Sequence, residues 1–300
     1  QDEKYLKSLI ADKRFSDYDY TLKRILDHKP HVLTEAEERL IGMAGEIFGT
    51  FSDTFGMIDN VDLPFPEIEW EGKNIKLTHG IYGIILHSDN REKRAEAYEK
   101  YYGAYKSLIN TITSTYYGNV KKDVFLSKAY KFNSCLENAL FSEDVDREVY
   151  QNLLDAVSEN MPSMHRYIAD RKKLLGYDKL YFYDIYAPLV NGVDFKLDYD
   201  KAYEYVIKGL APLGKEYQAL LKKGHDERWI DVEETDGKRS GAYSTGCNGV
   251  HPFVLLNYQP NISNVFTIAH EMGHSLHTYF SSANQPYAKA DYKIFVAEVA

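Results

Sequence analysis

His270, Glu271 and His274 form an H-E-x-x-H string. Two imidazoles four residues apart on a helix lie one turn apart on one face, where both can offer a ring nitrogen to a single ion. Glu271 is turned roughly 100° away, so it cannot be a third ligand from the same helix and is left free to accept a proton. This set suits metal-assisted hydrolysis, in which an ion activates water and a carboxylate moves the proton. The alternative is a helix with two exposed or hydrogen-bonded histidines and no ion.

The residues around the string are consistent with a helix. Val265, Ala269, Met272, Leu276 and Tyr279 fall on one narrow stripe, nearly opposite His270 and His274, as expected for the face a helix buries. His277 shares the histidine face, but it lies about a turn beyond His274 and is expected to orient a neighbour rather than bind the ion. A catalytic zinc site needs a third ligand and one open position. Downstream stand Asp291 and Glu298, the latter 24 residues after His274. Apolar neighbours place Glu298 on an expected buried second helix, where an unpaired carboxylate would be costly and a metal would relieve that cost. Asp291 is more simply an N-cap of that helix.

Several elements must carry these groups. Thr34 and Glu37 form a capping box, so a helix is expected over 35–49. Pro64 and Pro66 end the helical reading, and Ile68, Trp70, Ile75 and Leu77 flank a turn at 72–74, a small hairpin. Residues 90–132 read as helix, with a stripe of Tyr98, Tyr102, Tyr105, Ile109, Ile112 and Tyr116 expected in the core. Pro162 should separate two helices over 146–160 and 163–175, and a helix over 200–223 should kink at Ala211-Pro212 and stop at Gly224. The charge clusters at 91–94 and 222–223 are expected to be solvated helix faces.

Over 229–258 the texture changes to short alternating runs, a small sheet just before the histidines. Its 241–249 loop is glycine-containing, but no Gly-Lys-Ser/Thr ending follows, which argues against a phosphate cradle. An edge strand of this sheet could add an extended peptide as one more strand. The strand at 251–258, which begins at His251, is the first candidate, and Gly241, Ala242 and Tyr243 are the second; plain structural support under the helix remains an equal reading. Cys247 in the same loop is expected to be structural.

Composition narrows the rest. The 300 residues are 44% hydrophobic and 14% aromatic, enough for a sizeable core. Basic residues number 36 against 45 acidic, a net charge of −9 that argues against nucleic acid as a partner. Two cysteines cannot build a disulfide framework, which points to a reducing, cytoplasmic setting. No apolar run approaches the roughly 20 residues of a membrane span. Both ends read as interior sequence, so the chain is expected to be a segment of something longer. Nothing in it fixes an oligomeric state.

Beyond the metal motif, further stretches are distinctive: residues 119–125 (NVKKDVF), 183–190 (YDIYAPLV), 240–244 (SGAYS), 251–258 (HPFVLLNY) and 295–300 (FVAEVA). With these, nearly the whole chain resembles the oligoendopeptidase F branch of the thimet oligopeptidase family of zinc peptidases. The resemblance implies a mainly α, zincin-like metallopeptidase, with helical lobes around a peptide channel and a small sheet beside the zinc helix. It implies an N-terminal helical domain over 1–80 and a peptidase catalytic domain over 81–300. It implies one Zn²⁺ per chain on His270, His274 and Glu298, Glu271 as general base, and cleavage of internal bonds in short unstructured peptides. Family members continue well past the third ligand, and their later part supplies groups that stabilise the transition state. Two other readings are weighed: a non-catalytic peptide-binding helical fragment, and a zinc aminopeptidase, whose Gly-x-Met-Glu-Asn segment is missing here.

Overall fold

A computed structural model of the chain describes residues 2–190 and 196–298. Helices α1 (Glu3–Ala11), α2 (Asp19–Asp27), α3 (Glu35–Met43) and α4 (Gly45–Met57) come first. The capping box forms as expected: the Thr34 hydroxyl accepts from the Glu37 N–H, and the Thr34 N–H donates to the Glu37 carboxylate. The expected single helix over 35–49 is instead two helices that meet at Ala44, between Gly42 and Gly45, and the second runs past Gly49 to Met57.

The hairpin of β1 (Glu67–Trp70) and β2 (Lys73–Lys76) pairs Ile68 with Ile75 in antiparallel register. Ile68 and Leu77 are fully buried against Ile85 of α5 (His79–Leu86) and against Ala97 and Tyr101 of α6 (Arg91–Ser107). Leu108 then separates α6 from α7 (Ile109–Ala129). That break ends the tyrosine stripe as a continuous core: Tyr101, off the stripe, is buried, whereas Tyr102, Ile109 and Tyr116 are exposed.

After α8 (Cys135–Glu143), α9 (Arg147–Leu174) is one helix of 28 residues, not the expected pair. Pro162 cannot donate to the Ser158 carbonyl, but this turn faces solvent, so water can take the freed acceptor and the helix continues. Further on, α10 (Tyr199–Gly209) and α11 (Lys215–Asp226) are separate helices, where a single kinked one was expected. Pro212 sits in a 3₁₀ turn between them, and α11 passes through buried Gly224.

The sheet comprises β3 (Ile230–Asp231), β4 (Tyr243–Thr245) and β5 (Phe253–Leu255), in the order β3-β5-β4, with β5 parallel to β3 and antiparallel to β4. Asn261 caps the long helix α12 (Ile262–Asn284) by accepting from the Asn264 N–H. Met272 and Leu276 of the expected stripe are fully buried with Ile268, over Ala202, Tyr203 and Val206 of α10, Leu221 of α11, Trp229, and Val254 and Leu256 at β5. Val265, Ala269 and Tyr279 pack at the margin of this core. It is this cluster that fixes which way the other face of α12 points.

The short helix α13 (Ile294–Ala297) ends the described chain, with Val299 and Ala300 outside the described residues. Its N-cap is Lys293. Asp291, expected to be the cap, instead accepts from the Tyr292 N–H. A second correction concerns the charge cluster at 91–94. Arg94 is fully buried and donates to Asp184, also fully buried, and to the Tyr183 and Ser88 carbonyls, while Arg91 grips the same carboxylate. An acidic partner 90 residues away turned an expected solvated face into an internal ion cluster. Among the described residues no helix is long and apolar enough to cross a membrane.

Candidate metal centre

Helix α12 presents His270 and His274 on the face away from its core stripe, and the two Nε2 atoms are 3.0 Å apart. Glu298, just after α13, brings Oε2 to 3.9 Å from His270 Nε2 and 3.8 Å from His274 Nε2. Among the described residues this is the group of three that could hold a metal ion, with all three ligand atoms within 4.8 Å of one another. A triangle with these sides has a circumradius of about 2.1 Å, so one point lies that far from all three atoms, the length of a zinc bond to nitrogen or oxygen. Two nitrogens and one carboxylate oxygen at that radius suit a borderline divalent cation.

Glu298 was expected to be buried on a helix of its own. Its side chain is instead 56% exposed, as is 55% of His270, while His274 is 17% exposed. Among the described residues, its proximity to the two histidines rather than burial marks it. Neither Asp291 nor His277 belongs to the cluster. The His277 ring lies flat on Tyr292, with centroids 3.8 Å apart, and its buried Nδ1 has no hydrogen-bond partner among the described residues. Burial holds this imidazole below its usual pKa.

Glu271 is on the side of α12 that meets the sheet and is buried. Among the described residues its Oε2 has no hydrogen-bond partner. Burial raises its pKa above the usual carboxylate value, partly offset by His270, His274 and the Ser244 N–H. The arrangement is a poorly solvated carboxylate, adjacent in sequence to one candidate ligand, with an oxygen free to take a proton.

The 251–258 stretch, the first expectation, contains the central strand β5, while β3 and β4 are the outer strands, with Tyr243 of β4 exposed. Asn257 Nδ2 donates to the Arg239 and Gly241 carbonyls, both at 2.9 Å, and Gly241 adopts φ of 84°, the left-handed turn that leads into β4. The loop after β4 approaches α12 so closely that a Cβ on Gly246 would come within 2.5 Å of the Thr278 methyl. His251 stacks parallel on Trp229, with Nδ1 2.7 Å from the Pro252 carbonyl. Cys247 is exposed rather than packed.

Other contacts that position the site went unread in the sequence. Ser244 and Ser275 share a hydroxyl hydrogen bond, and the Ser240 N–H donates to Asn60 Oδ1 at 2.7 Å across 180 residues. These pairs join distant segments, and no local spacing announces them. A cavity of about 350 Å³, lined among others by His79, Glu234, Gly241, Ala242, Gln259 and Thr267, runs from the lead into β4 to the turn of α12 before His270.

With this geometry in place, comparison with known proteins is informative. Residues 84–300 match the model of peptidase family M3, and residues 1–65 match that of oligopeptidase F. Oligopeptidase PepF of Bacillus subtilis is 42% identical over 301 residues, covering 100% of this chain and 45% of the relative. An oligoendopeptidase F homolog of Lactococcus lactis subsp. lactis is 41% identical, covering 99% of this chain and 50% of the relative. The crystal structure of oligoendopeptidase-F from Enterococcus faecium superposes with a TM-score of 0.66 at 30% identity, over 100% of this chain and 47% of that one. The chain thus spans about half the length of these relatives. The fold is the mainly helical one of these peptidases, and the chain belongs to peptidase family M3, in its oligopeptidase F branch.

Proposed function

We propose that the protein is a zinc-dependent oligoendopeptidase that hydrolyses internal bonds of short unstructured peptides, with His270, His274 and Glu298 as metal ligands and Glu271 as general base. The observation that carries this reading is the convergence of three ligand atoms on one point, with a buried carboxylate beside them that keeps a free oxygen. When bound, zinc supplies the Lewis acidity that acidifies a water and polarises a scissile carbonyl. Glu271 takes the proton of the attacking water and passes it to the departing amine.

Tyr243, with Gly241 and Ala242 leading into it, starts outer strand β4, along which an extended peptide adds as a further strand and is held by its backbone. The cavity beside them gives side chains room. His251 enters this reading only through the sheet it helps to pack. The recognition favours substrates without secondary structure of their own, since a paired strand or helix has no free backbone to offer. Residues 1–80 are taken as an N-terminal helical domain and 81–300 as the catalytic domain, a division supported by family matches that stop at 65 and resume at 84. Two exposed free cysteines, Cys135 and Cys247, support a reducing cytoplasmic setting.

Glu271→Gln tests the assignment on a peptide with an acetylated N-terminus. The expected result is cleavage by the parent and a loss of about 10²–10⁴-fold in the variant, with zinc content unchanged. Undiminished turnover in Glu271→Gln would remove the base, and a parent that cuts only free N-termini would make it an aminopeptidase.

A further inference from the structure

Glu298 stands just after α13, and the segment that joins α13 to the histidine helix is held at several points. Residues 285–293, which join α12 to α13, are pinned on the α12 side at three points. The Ser281 hydroxyl donates to the Ala290 carbonyl at 2.6 Å, the Tyr292 hydroxyl is 2.6 Å from Thr278 Oγ1 and donates to the His274 carbonyl at 3.4 Å, and the Tyr292 ring stacks on His277 at an angle of 11°. On the other side Lys289 reaches the Ser16 carbonyl and Asp19, and Lys293 reaches the Ser142 carbonyl at the end of α8.

Tyr292 touches the first turn after His274 and precedes Glu298 by six residues. The intervening chain is closed by hydrogen bonds from Ala297 N to Lys293 O and from Glu298 N to Ile294 O, both 3.0 Å. The ligand therefore cannot shift far from α12 while Tyr292 stays seated. Among the described residues His277 has no hydrogen-bond partner at its buried Nδ1, and its ring packs flat on Tyr292. Without this contact Glu298 would sample more positions, and ordering it would be charged against each ion bound.

We propose that Tyr292 and His277 form a clasp that holds Glu298 at the distance at which it completes the metal site, making Tyr292 a positioning residue for the third ligand. This rests on the zinc reading above.

The test is the zinc dissociation constant, read by competition with a chromophoric chelator, for the purified chain, Tyr292→Leu, Glu298→Gln and the double variant. Circular dichroism of the metal-free forms is recorded alongside. Tyr292→Leu should bind zinc about 10- to 100-fold more weakly, as for other residues that orient ligands, and should add nothing in the Glu298→Gln background. Affinity equal to the parent, or the same loss in both backgrounds, overturns the clasp. Glu298→Gln binding as tightly as the parent overturns the ligand set itself, and the clasp with it. If Tyr292→Leu does not fold, Tyr292→Phe and Thr278→Val each keep the stack and should weaken binding several-fold. Parity of both with the parent then overturns the proposal.

Discussion

Ser244 of the outer strand and Ser275 of the histidine helix share a hydroxyl hydrogen bond of 2.8 Å, with Ser275 fully buried. The pair ties outer strand β4 to the helix that carries His270 and His274, the two candidate metal ligands.

Removing that tie should cost little stability and more recognition. Ser275→Ala is expected to lose about 1 kcal/mol, the net worth of one such bond, measured from the urea midpoint. Peptide KM should rise several-fold with kcat changing less, because the edge loosens while His270, Glu271 and His274 stay in place. An unchanged KM would separate the strand from substrate binding.

Glu271 is expected to weaken the metal-free fold. Its folded pKa lies above the ordinary carboxylate value, so the folded state holds its proton over a range where the unfolded state has released it. Stability should therefore fall as pH rises from about 4.5 through the folded value. Metal-free Glu271→Gln should be more stable than the parent at pH 7 and lack this dependence, as read by thermal unfolding in chelator. A variant less stable than the parent would mean that the buried carboxylate is better partnered than its free Oε2 indicates.

The Asp184 cluster should behave in the opposite sense. Burial alone would raise the Asp184 pKa, but hydrogen bonds from Arg91, the Tyr181 N–H and Arg94 outweigh it, and the net shift is below 3.8. Its contribution is present above 3.8 and lost as pH falls through the depressed folded value. Asp184→Ala leaves the Arg94 charge buried and should cost about 3–5 kcal/mol at neutral pH, measured by urea unfolding. Asp184→Asn should flatten the acid limb below pH 4. A loss under about 1 kcal/mol in Asp184→Ala would show that the arginines are held by their carbonyl partners alone.

What could be read in the sequence was what lies within a few residues. His270, Glu271 and His274 share one helix, so a 3.6-residue period was enough to place two ligand atoms together and turn the carboxylate away. The capping box at Thr34 and the hairpin around Gly72 were legible for the same reason. Glu298 was singled out by its apolar neighbours, whereas in the structure it is its nearness to His270 and His274, across the 285–293 connection, that marks it. Arg94 was misjudged because its partner Asp184 lies in a different segment, and Pro162 because its cost depends on whether water reaches the broken turn. The Ser244–Ser275, Asn60–Ser240 and His277–Tyr292 contacts leave no periodic trace at all.

The most direct test of the metal centre is anomalous diffraction at the zinc edge from crystals of the chain grown with equimolar zinc. The account requires one strong peak within about 2.0–2.2 Å of the Nε2 atoms of His270 and His274 and a carboxylate oxygen of Glu298, lost in Glu298→Ala or much reduced. A peak on other residues, or no peak at a site with both histidines ordered, would contradict it.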